Sequence, residues 1–326
     1  MENLLASWQE FLRGKKKRTD VAEFSLHFFK HISALHADLK DKTYRHGGYH
    51  AFKINDPKPR DIHKASVRDR LVHHALYRTL YPLFDRIFIH DSYSCRIRKG
   101  THRAMNRFRD YGRKVSRNNT QTCWVLKCDI RKFFASIDHD ILKNISAENI
   151  DDKETLWLID EIIDSFNPGL PLGNLTSQLL VNVYMNKFDH FIKRRLTVRY
   201  YIRYADDFVI MDENRERLQK LIPEIAHFLH SELKLSLHPK KVSISTLVSG
   251  IDFLGWVHFQ HHRTLRNATE WRMLQRLENL VPLSSNVTSD DISNTSRVAS
   301  YLGMLSHGDS HKLSLEIQKR YGKMKP

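Results

Sequence analysis

The residues with the most chemical potential in this sequence are two neighbouring acids, Asp206 and Asp207, set between the apolar runs 199–204 and 208–211. Runs of that composition predict two strands of a hairpin, with Ala205, Asp206 and Asp207 at its tip. On a regular strand, neighbouring side chains point to opposite faces; a tight turn instead lets both reach one site. An earlier acid, Asp129, ends a short apolar run from Val125, which predicts another strand. Three clustered carboxylates repel one another unless cations accompany them. Hard oxygen ligands select Mg²⁺ or Mn²⁺. Two such ions about 3.5–4 Å apart clamp the attacking and leaving oxygens of an in-line phosphoryl displacement. An acidic pair is also ordinary turn chemistry, so these residues acquire meaning only from what surrounds them.

The elements that must position them can be read from periodicity. Residues 4–12 predict a short amphipathic helix, followed by a basic loop at 13–18 that suits either phosphate or a protein partner. A second helix is expected over residues 21–39. His27 and His31 stand there at metal-ligand spacing, but no further ligands accompany them and no zinc site is expected. Residues 49–54 alternate as a strand, and a turn-forming run follows at 55–59. Val67, Leu71, Ala75, Leu76 and Leu80 recur at helical spacing. A long helix is expected over 177–196, with Leu180, Val183, Tyr184, Phe188 and Phe191 on its inner face, and another over 215–233. Residues 283–296, rich in Ser, Asn, Thr and Asp, predict a mobile loop inside a helical C-terminal region. There, Trp271, Leu274 and Leu277 mark a further helix. No internal repeat is present.

Composition narrows the function classes. The chain has 326 residues, 41% of them hydrophobic and 10% aromatic, which suits a folded enzyme rather than a disordered segment. A net charge of +16 points to polyanions, either nucleic acid or an anionic surface. Cys95, Cys123 and Cys128 form no CxxC pair, as expected of reduced thiols in a cytosol. Glu10 and Arg13 interrupt the N-terminal stretch before any signal-peptide core. No window approaches the ~18 apolar residues of a membrane span. The expected location is the cytoplasm.

Seven short motifs, in order, make the chain resemble reverse transcriptases. Lys58-Pro59-Arg60-Asp61-Ile62 with Asp69-Arg70, and Ser92-Tyr93-Ser94-Cys95-Arg96 with Lys99-Gly100-Thr101-His102, resemble two fingers motifs. Asp129-Ile130-Arg131-Lys132-Phe133-Phe134 resembles the first catalytic motif of the palm. Gly169-Leu170-Pro171-Leu172-Gly173-Asn174-Leu175-Thr176-Ser177-Gln178 and then Tyr204-Ala205-Asp206-Asp207 resemble the next two. His238-Pro239-Lys240-Lys241 and Phe253-Leu254-Gly255-Trp256 complete the series.

The resemblance implies roles. Asp129, Asp206 and Asp207 would ligate two Mg²⁺ ions, with Mn²⁺ able to substitute and the Ile130 carbonyl assisting. Lys58, Arg60 and Arg96 would face the incoming triphosphate, a task suited to cationic side chains. Lys241 or its neighbour Lys240 would protonate the departing pyrophosphate. Phe134 would lie beneath the sugar and exclude a 2′-hydroxyl, although Phe133 beside it carries the same composition signal. Leu172 and Gln178 would line the nucleotide site. Phe253, Leu254 and Gly255 would form the primer grip.

Within that family, Leu172-Gly173 with Ser177-Gln178 resembles the reverse transcriptases of diversity-generating retroelements, as do SWQEFLRGKKKR near the start and GNLTSQLLVNVYMNKFDHF. Such prokaryotic or phage-encoded enzymes copy a template-repeat RNA into cDNA and misincorporate opposite template adenines. The mutated copy replaces a variable gene region, a process of error-prone mutagenic retrohoming. Their implied partners are the retroelement's structured RNA, its cDNA, dNTPs and a small basic accessory variability protein that forms a pentameric barrel. A group II intron-like or phage-defence reverse transcriptase is the nearest alternative. A non-catalytic RNA-binding protein of polymerase shape is a second one, and the complete acidic set argues against it.

The expected fold is α+β, a right-hand polymerase with a small antiparallel sheet packed on helices in its palm. The N-terminal extension and fingers would occupy residues 1–122. The palm would span 123–255, with a fingers insertion at about 141–168, and a helical thumb would span 256–326. The length after Trp256 is thumb-sized, so no RNase H, endonuclease or maturase domain is expected.

Overall fold

The computed structural model describes residues 1–55, 59–278 and 289–321, the side chains of 289–294 excepted. The chain opens with helices α1 (Glu2–Phe11), α2 (Thr19–Leu26) and α3 (Phe28–Lys40). The hairpin β1 (Tyr49–Ile54) and β2 (Arg60–Ala65) follows, then α4 (Val67–Asp85), α5 (Thr101–Val115) and β3 (Trp124–Asp129). Helices α6 (His139–Ala147), α7 (Lys153–Asp164) and α8 (Leu175–His190) lead to β4 (Tyr201–Tyr204) and β5 (Asp207–Asp212). After α9 (Arg215–Leu233) come β6 (Ser243–Thr246), β7 (Ile251–Phe253), β8 (Trp256–His258) and β9 (Arg263–Leu265). Helices α10 (Asn267–Glu278), α11 (Ser289–Leu305) and α12 (His311–Tyr321) complete the order. The three sheets run β1-β2, β4-β5-β3-β6 and β7-β8-β9.

The chain divides into two compact units, each built from three stretches. One comprises Met1–Arg98, Cys128–Phe208 and Leu221–Val242. At its centre lies α8, against which α4 and α6 pack. Leu179, Leu180, Val183, Tyr184, Met185 and Phe188 are all buried, so the helix is enclosed on most sides, which is why its sequence shows little amphipathic contrast. Its neighbours start at side-chain caps: Ser66 accepts from the Asp69 amide at α4, and Asp138 accepts from the Ile141 amide at α6.

The second unit comprises Lys99–Lys127, Val209–Lys220 and Ser243–Pro326. Met105, Trp256, Leu265, Met273, Leu277, Val298, Leu305 and Ile317 form its core. Gly308 is required there, because a Cβ would stand 2.0 Å from the Trp256 ring. The hairpin β7–β8 turns through Leu254 (φ 55°) and Gly255 (φ 85°), and Phe253 at its base is fully buried.

Four expectations about elements need correction. The helix expected over 21–39 is two helices, because His27 leaves helical geometry at φ −118°, ψ 31°. The helix expected to run on to 196 ends its regular part at His190 and widens into a π-turn over Phe191–Arg195, where the Phe191 ring stacks on Phe228 at 4.0 Å. From Ser289 onward the polar segment is helical rather than a loop; 283–288 lie outside the described residues. In α10, Met273 and Leu277 face the core while Trp271 is 60% exposed, so the inner face differs from the one expected.

Candidate active site

The acidic residues assemble in the first unit, at the end of β3 and the tip of the β4–β5 hairpin. The Ile130 amide donates to the Asp206 carbonyl at 3.1 Å, which fixes the residue after Asp129 against the turn. The Asp129 carbonyl accepts from the His238 amide at 2.7 Å, and the Arg131 amide donates to the Ser236 carbonyl at 2.9 Å. The end of β3 is thereby held between the hairpin tip and the segment carrying His238 to Lys241. That segment delivers the Lys241 ammonium to Asp129 Oδ2 at 2.7 Å. Lys240 takes a different course: its amide donates to His238 Nδ1 at 3.2 Å.

Ala205 turns the chain with φ 54°, a left-handed conformation unusual for a residue with a Cβ. Burial above all, and the charge of Asp129, hold the Asp206 carboxyl above the usual carboxylate range; Lys241 and Arg60 oppose this. Asp207 and Asp129 also reach Cys128, whose thiol burial pushes up to about 12. Among the described residues, no three His, Cys, Asp or Glu side chains form a ready-made cation cage. The donor chemistry nevertheless fits a hard divalent cation. These are carboxylate oxygens in a partly buried place where burial, and after it the charge of Asp129, disfavours ionisation of Asp206, and an ammonium already leans on Asp129.

The Gly169–Gln178 segment is docked against two parts of the chain, the stretch after Asp129 and strand β2. The Leu170 amide donates to the Phe134 carbonyl at 2.8 Å. Gly169 (φ 70°) passes so close that a Cβ would stand 2.2 Å from that same oxygen. Farther along, the His63 amide of β2 donates to the Leu172 carbonyl at 3.0 Å, and Asn174 Nδ2 donates to the His63 carbonyl at 3.0 Å. The His63 peptide is thus gripped at both its polar groups. Thr176 Oγ1 meets Nδ1 of the buried His73 at 2.5 Å. The other ring nitrogen of His73 meets His46 Nε2 at 3.1 Å, and His46 in turn meets the Tyr49 hydroxyl.

The remaining expected site residues fall into distinct groups. Phe134 is half-buried, whereas Phe133 is 3% exposed and belongs to the core. Leu172 and Gln178 are half-buried beside the docked loop. Arg60 is exposed and close enough to stabilise the Asp206 anion. Lys58 lies outside the described residues. Phe253, Leu254 and Gly255 belong to the second unit.

Arg96 departs from its expected role. Its guanidinium donates to the Asp85 carboxylate at 2.7 Å, to the carbonyls of Ile89 and Ser92, and to the Asp85 carbonyl. The side chain is 5% exposed and lies over the Phe88 ring. With four donor contacts engaged inside the protein, it shapes residues 85–96 instead of facing a triphosphate.

The family model for reverse transcriptases (RNA-dependent DNA polymerases) matches residues 53–258. The chain belongs to this family. Among curated relatives, the reverse transcriptase chain is 25% identical over 260 residues to protein YkfC of Escherichia coli, covering 66% of this chain and 65% of that protein. It is 22% identical over 335 residues to the group II intron-encoded protein LtrA of Lactococcus lactis, covering 78% and 55%. Telomerase structures share the fold. The apo enzyme of Candida tropicalis has TM-score 0.53 at 11% identity, over 85% of this chain and 60% of that one. The telomerase of Candida albicans in complex with a TWJ fragment of telomeric RNA has TM-score 0.52 at 10% identity, over 78% and 53%. The mixed helical and antiparallel architecture is the α+β polymerase fold. The chain spans somewhat more than half the length of these relatives. No helix among the described residues is long and apolar enough to cross a membrane.

Sequence reasoning missed Arg203, Asp189, His73 and Asn174. Arg203 had a usable signal: an arginine inside an apolar strand, two residues before the turn, needs a buried partner. The partner itself lies on another element and leaves no mark in sequence.

Proposed function

We propose that this chain is an RNA-directed DNA polymerase. The observation that carries the reading is the convergence of Asp129, Asp206 and Lys241 at the hairpin tip, within a chain of the reverse transcriptase family. Asp129, Asp206, Asp207 and the Ile130 carbonyl would hold two divalent ions, Mg²⁺ or Mn²⁺. When bound, such ions would supply Lewis-acid activation of the primer 3′ oxygen and neutralise the leaving group. Lys241 protonates the departing pyrophosphate. Arg60, with Lys58, holds the triphosphate by charge. Phe134, reachable where Phe133 is not, lies beneath the sugar and disfavours a 2′-hydroxyl. Leu172 and Gln178 line the site of the nascent pair. The hairpin at Phe253, Leu254 and Gly255 is the primer grip. Fingers, palm and thumb correspond to residues 1–122, 123–255 and 256–326.

The finer reading is a retroelement enzyme that copies a template-repeat RNA with errors at adenine, assisted by a basic accessory protein. The Leu172-Gly173 and Ser177-Gln178 pattern supports it. A group II intron-like role is the second reading, favoured by the similarity to LtrA. Primer extension on an RNA template tests the activity. Asp206→Asn with Asp207→Asn should abolish synthesis while RNA binding and thermal unfolding are retained. Sequencing the cDNA separates the two roles, because errors concentrated at template adenine belong to the retroelement and an even spectrum belongs to the intron type.

A further inference from the structure

Arg203 and Asp189 form an ion pair with no solvent exposure on either side chain. Arg203 Nε and Nη2 donate to the two oxygens of Asp189, each at 2.7 Å. The Tyr201 hydroxyl donates to the same carboxylate at 2.7 Å. The other guanidinium donors are also engaged. Nη2 reaches Ser92 Oγ at 3.1 Å, and Nη1 reaches Asn182 Oδ1 at 3.2 Å and the Ala205 carbonyl at 3.1 Å. All five N–H groups of the guanidinium are thereby satisfied.

A buried ion pair is not in general a source of stability, because an apolar pair of similar volume often serves as well. Its presence calls for another explanation, and the contact with Ala205 supplies one. That residue has the left-handed conformation at the acidic turn. Such conformations persist where surrounding structure over-determines them. The carbonyl that Arg203 holds belongs to the peptide joining Ala205 to Asp206. The Asp206 carbonyl, in turn, accepts from Ile130. The two ends of the turn's first acid are therefore anchored to separate elements.

The anchor extends to the 91–96 segment. The Arg203 amide donates to the Asp91 carbonyl, and the Tyr93 amide donates to the Arg203 carbonyl, each at 3.0 Å. Asn182 Nδ2 donates to the carbonyls of Ser94 and Gln178. One buried residue thus ties the acidic turn, helix α8 beside Gln178, and the 91–96 segment together.

We propose that Arg203 is a positioning residue for the metal-binding turn, holding the Ala205–Asp206 peptide so that the Asp206 and Asp207 carboxylates face the cation, with Asp189 fixing the guanidinium. This rests on the reading of Asp206 and Asp207 as metal ligands.

Two variants separate positioning from bulk stability. Arg203→Lys keeps a charge for Asp189 but cannot also span Ser92, Asn182 and Ala205. Arg203→Met with Asp189→Leu removes the pair and refills its volume. Each is assayed in the full chain by thermal unfolding, by Mn²⁺ titration followed by electron paramagnetic resonance, and by single-nucleotide incorporation. Outer-shell partners of metal sites typically contribute 10–100-fold in affinity. The expected result is cooperative unfolding with Mn²⁺ binding weakened roughly 10-fold or more, a lower kcat, and a KM for dNTP within about twofold. A folded variant with wild-type Mn²⁺ affinity overturns the proposal. So does loss of folding in both variants, which would assign the pair to stability alone. Asp206→Asn with Asp207→Asn is the control: if it leaves Mn²⁺ binding intact, the ligand reading itself has failed, and if it alone removes binding, only the role of Arg203 has.

Discussion

Lys241 places its ammonium 2.7 Å from the Asp129 carboxylate, whereas its neighbour Lys240 has no such contact and is tied through its amide to His238. Spacing in the sequence left the two lysines equivalent; the turn after His238 separates them. General acids contribute on the order of 10²–10⁴-fold. Lys241→Gln should therefore lower single-turnover nucleotide incorporation by about 10²-fold, and Lys240→Gln by less than about threefold. Equal losses in rapid-quench measurements would remove the assignment of Lys241 as proton donor.

The two adjacent phenylalanines divide their work by burial. Phe133 is 3% exposed, so Phe133→Ala should cost about 3–5 kcal/mol of stability, as for other buried aromatics cut to alanine. Phe134 is half-buried and its backbone supports Leu170. Phe134→Ala should unfold near the wild-type temperature and raise ribonucleotide relative to deoxynucleotide incorporation. Competition assays with rNTP and dNTP on one primed template read the effect. If sugar selection follows Phe133 instead, the register of this motif is off by one residue.

Legibility in the sequence followed the range of the interactions. The strand at residues 49–54 coincides with β1, and the helix at 215–233 with α9, because each is set by local alternation or periodicity. The acidic hairpin was equally readable, although Asp207 already belongs to β5. What escaped left no local signature in the sequence. The break at His27 carries neither glycine nor proline. The engagement of Arg96 depends on Asp85 and Phe88, and that of Arg203 on Asp189, which a composition of charges cannot pair. The docking of Leu172 on His63 joins residues more than a hundred positions apart through backbone atoms alone.

The buried His73 makes stability depend on pH. Burial, chiefly, depresses its folded-state pKa to about 3, against about 6.5 in the unfolded chain. The unfolded state therefore binds the proton first, and stability falls as pH drops below about 6.5, continuing down to about 3. Between pH 7 and pH 5 this single group should remove about 2 kcal/mol. His258, lowered to about 4 by burial, adds to the same slope. His73→Gln should be less stable at pH 7, having lost the geometry to Thr176 and His46, but should lose less on acidification. Urea unfolding at the two pH values, with and without the substitution, measures this directly. An unchanged pH dependence would show that His73 is not the titrating group.

Fidelity should depend on Leu172. Its carbonyl is fixed by the His63 amide at 3.0 Å, and a Cβ on Gly173 (φ 111°) would stand 2.9 Å from Ile62, so the backbone has little freedom to shift. If Leu172 lines the site of the nascent pair as proposed, its side chain is what can vary there. Leucine offers no donor or acceptor, whereas glutamine offers both. A polar site rejects a misplaced partner by leaving buried groups unpaired, while an apolar one discriminates mainly by shape. A difference of about 1.4 kcal/mol is tenfold in selection, so one contact suffices. Leu172→Gln is therefore expected to lower misincorporation opposite template adenine more than opposite the other three bases. The adenine bias itself is part of the resemblance to retroelement enzymes and does not follow from the geometry. Sequencing cDNA made from one fixed RNA template by both enzymes, at matched yield, measures the change. An active Leu172→Gln enzyme with an unaltered adenine error rate would remove Leu172 as the determinant while leaving the polymerase assignment in place.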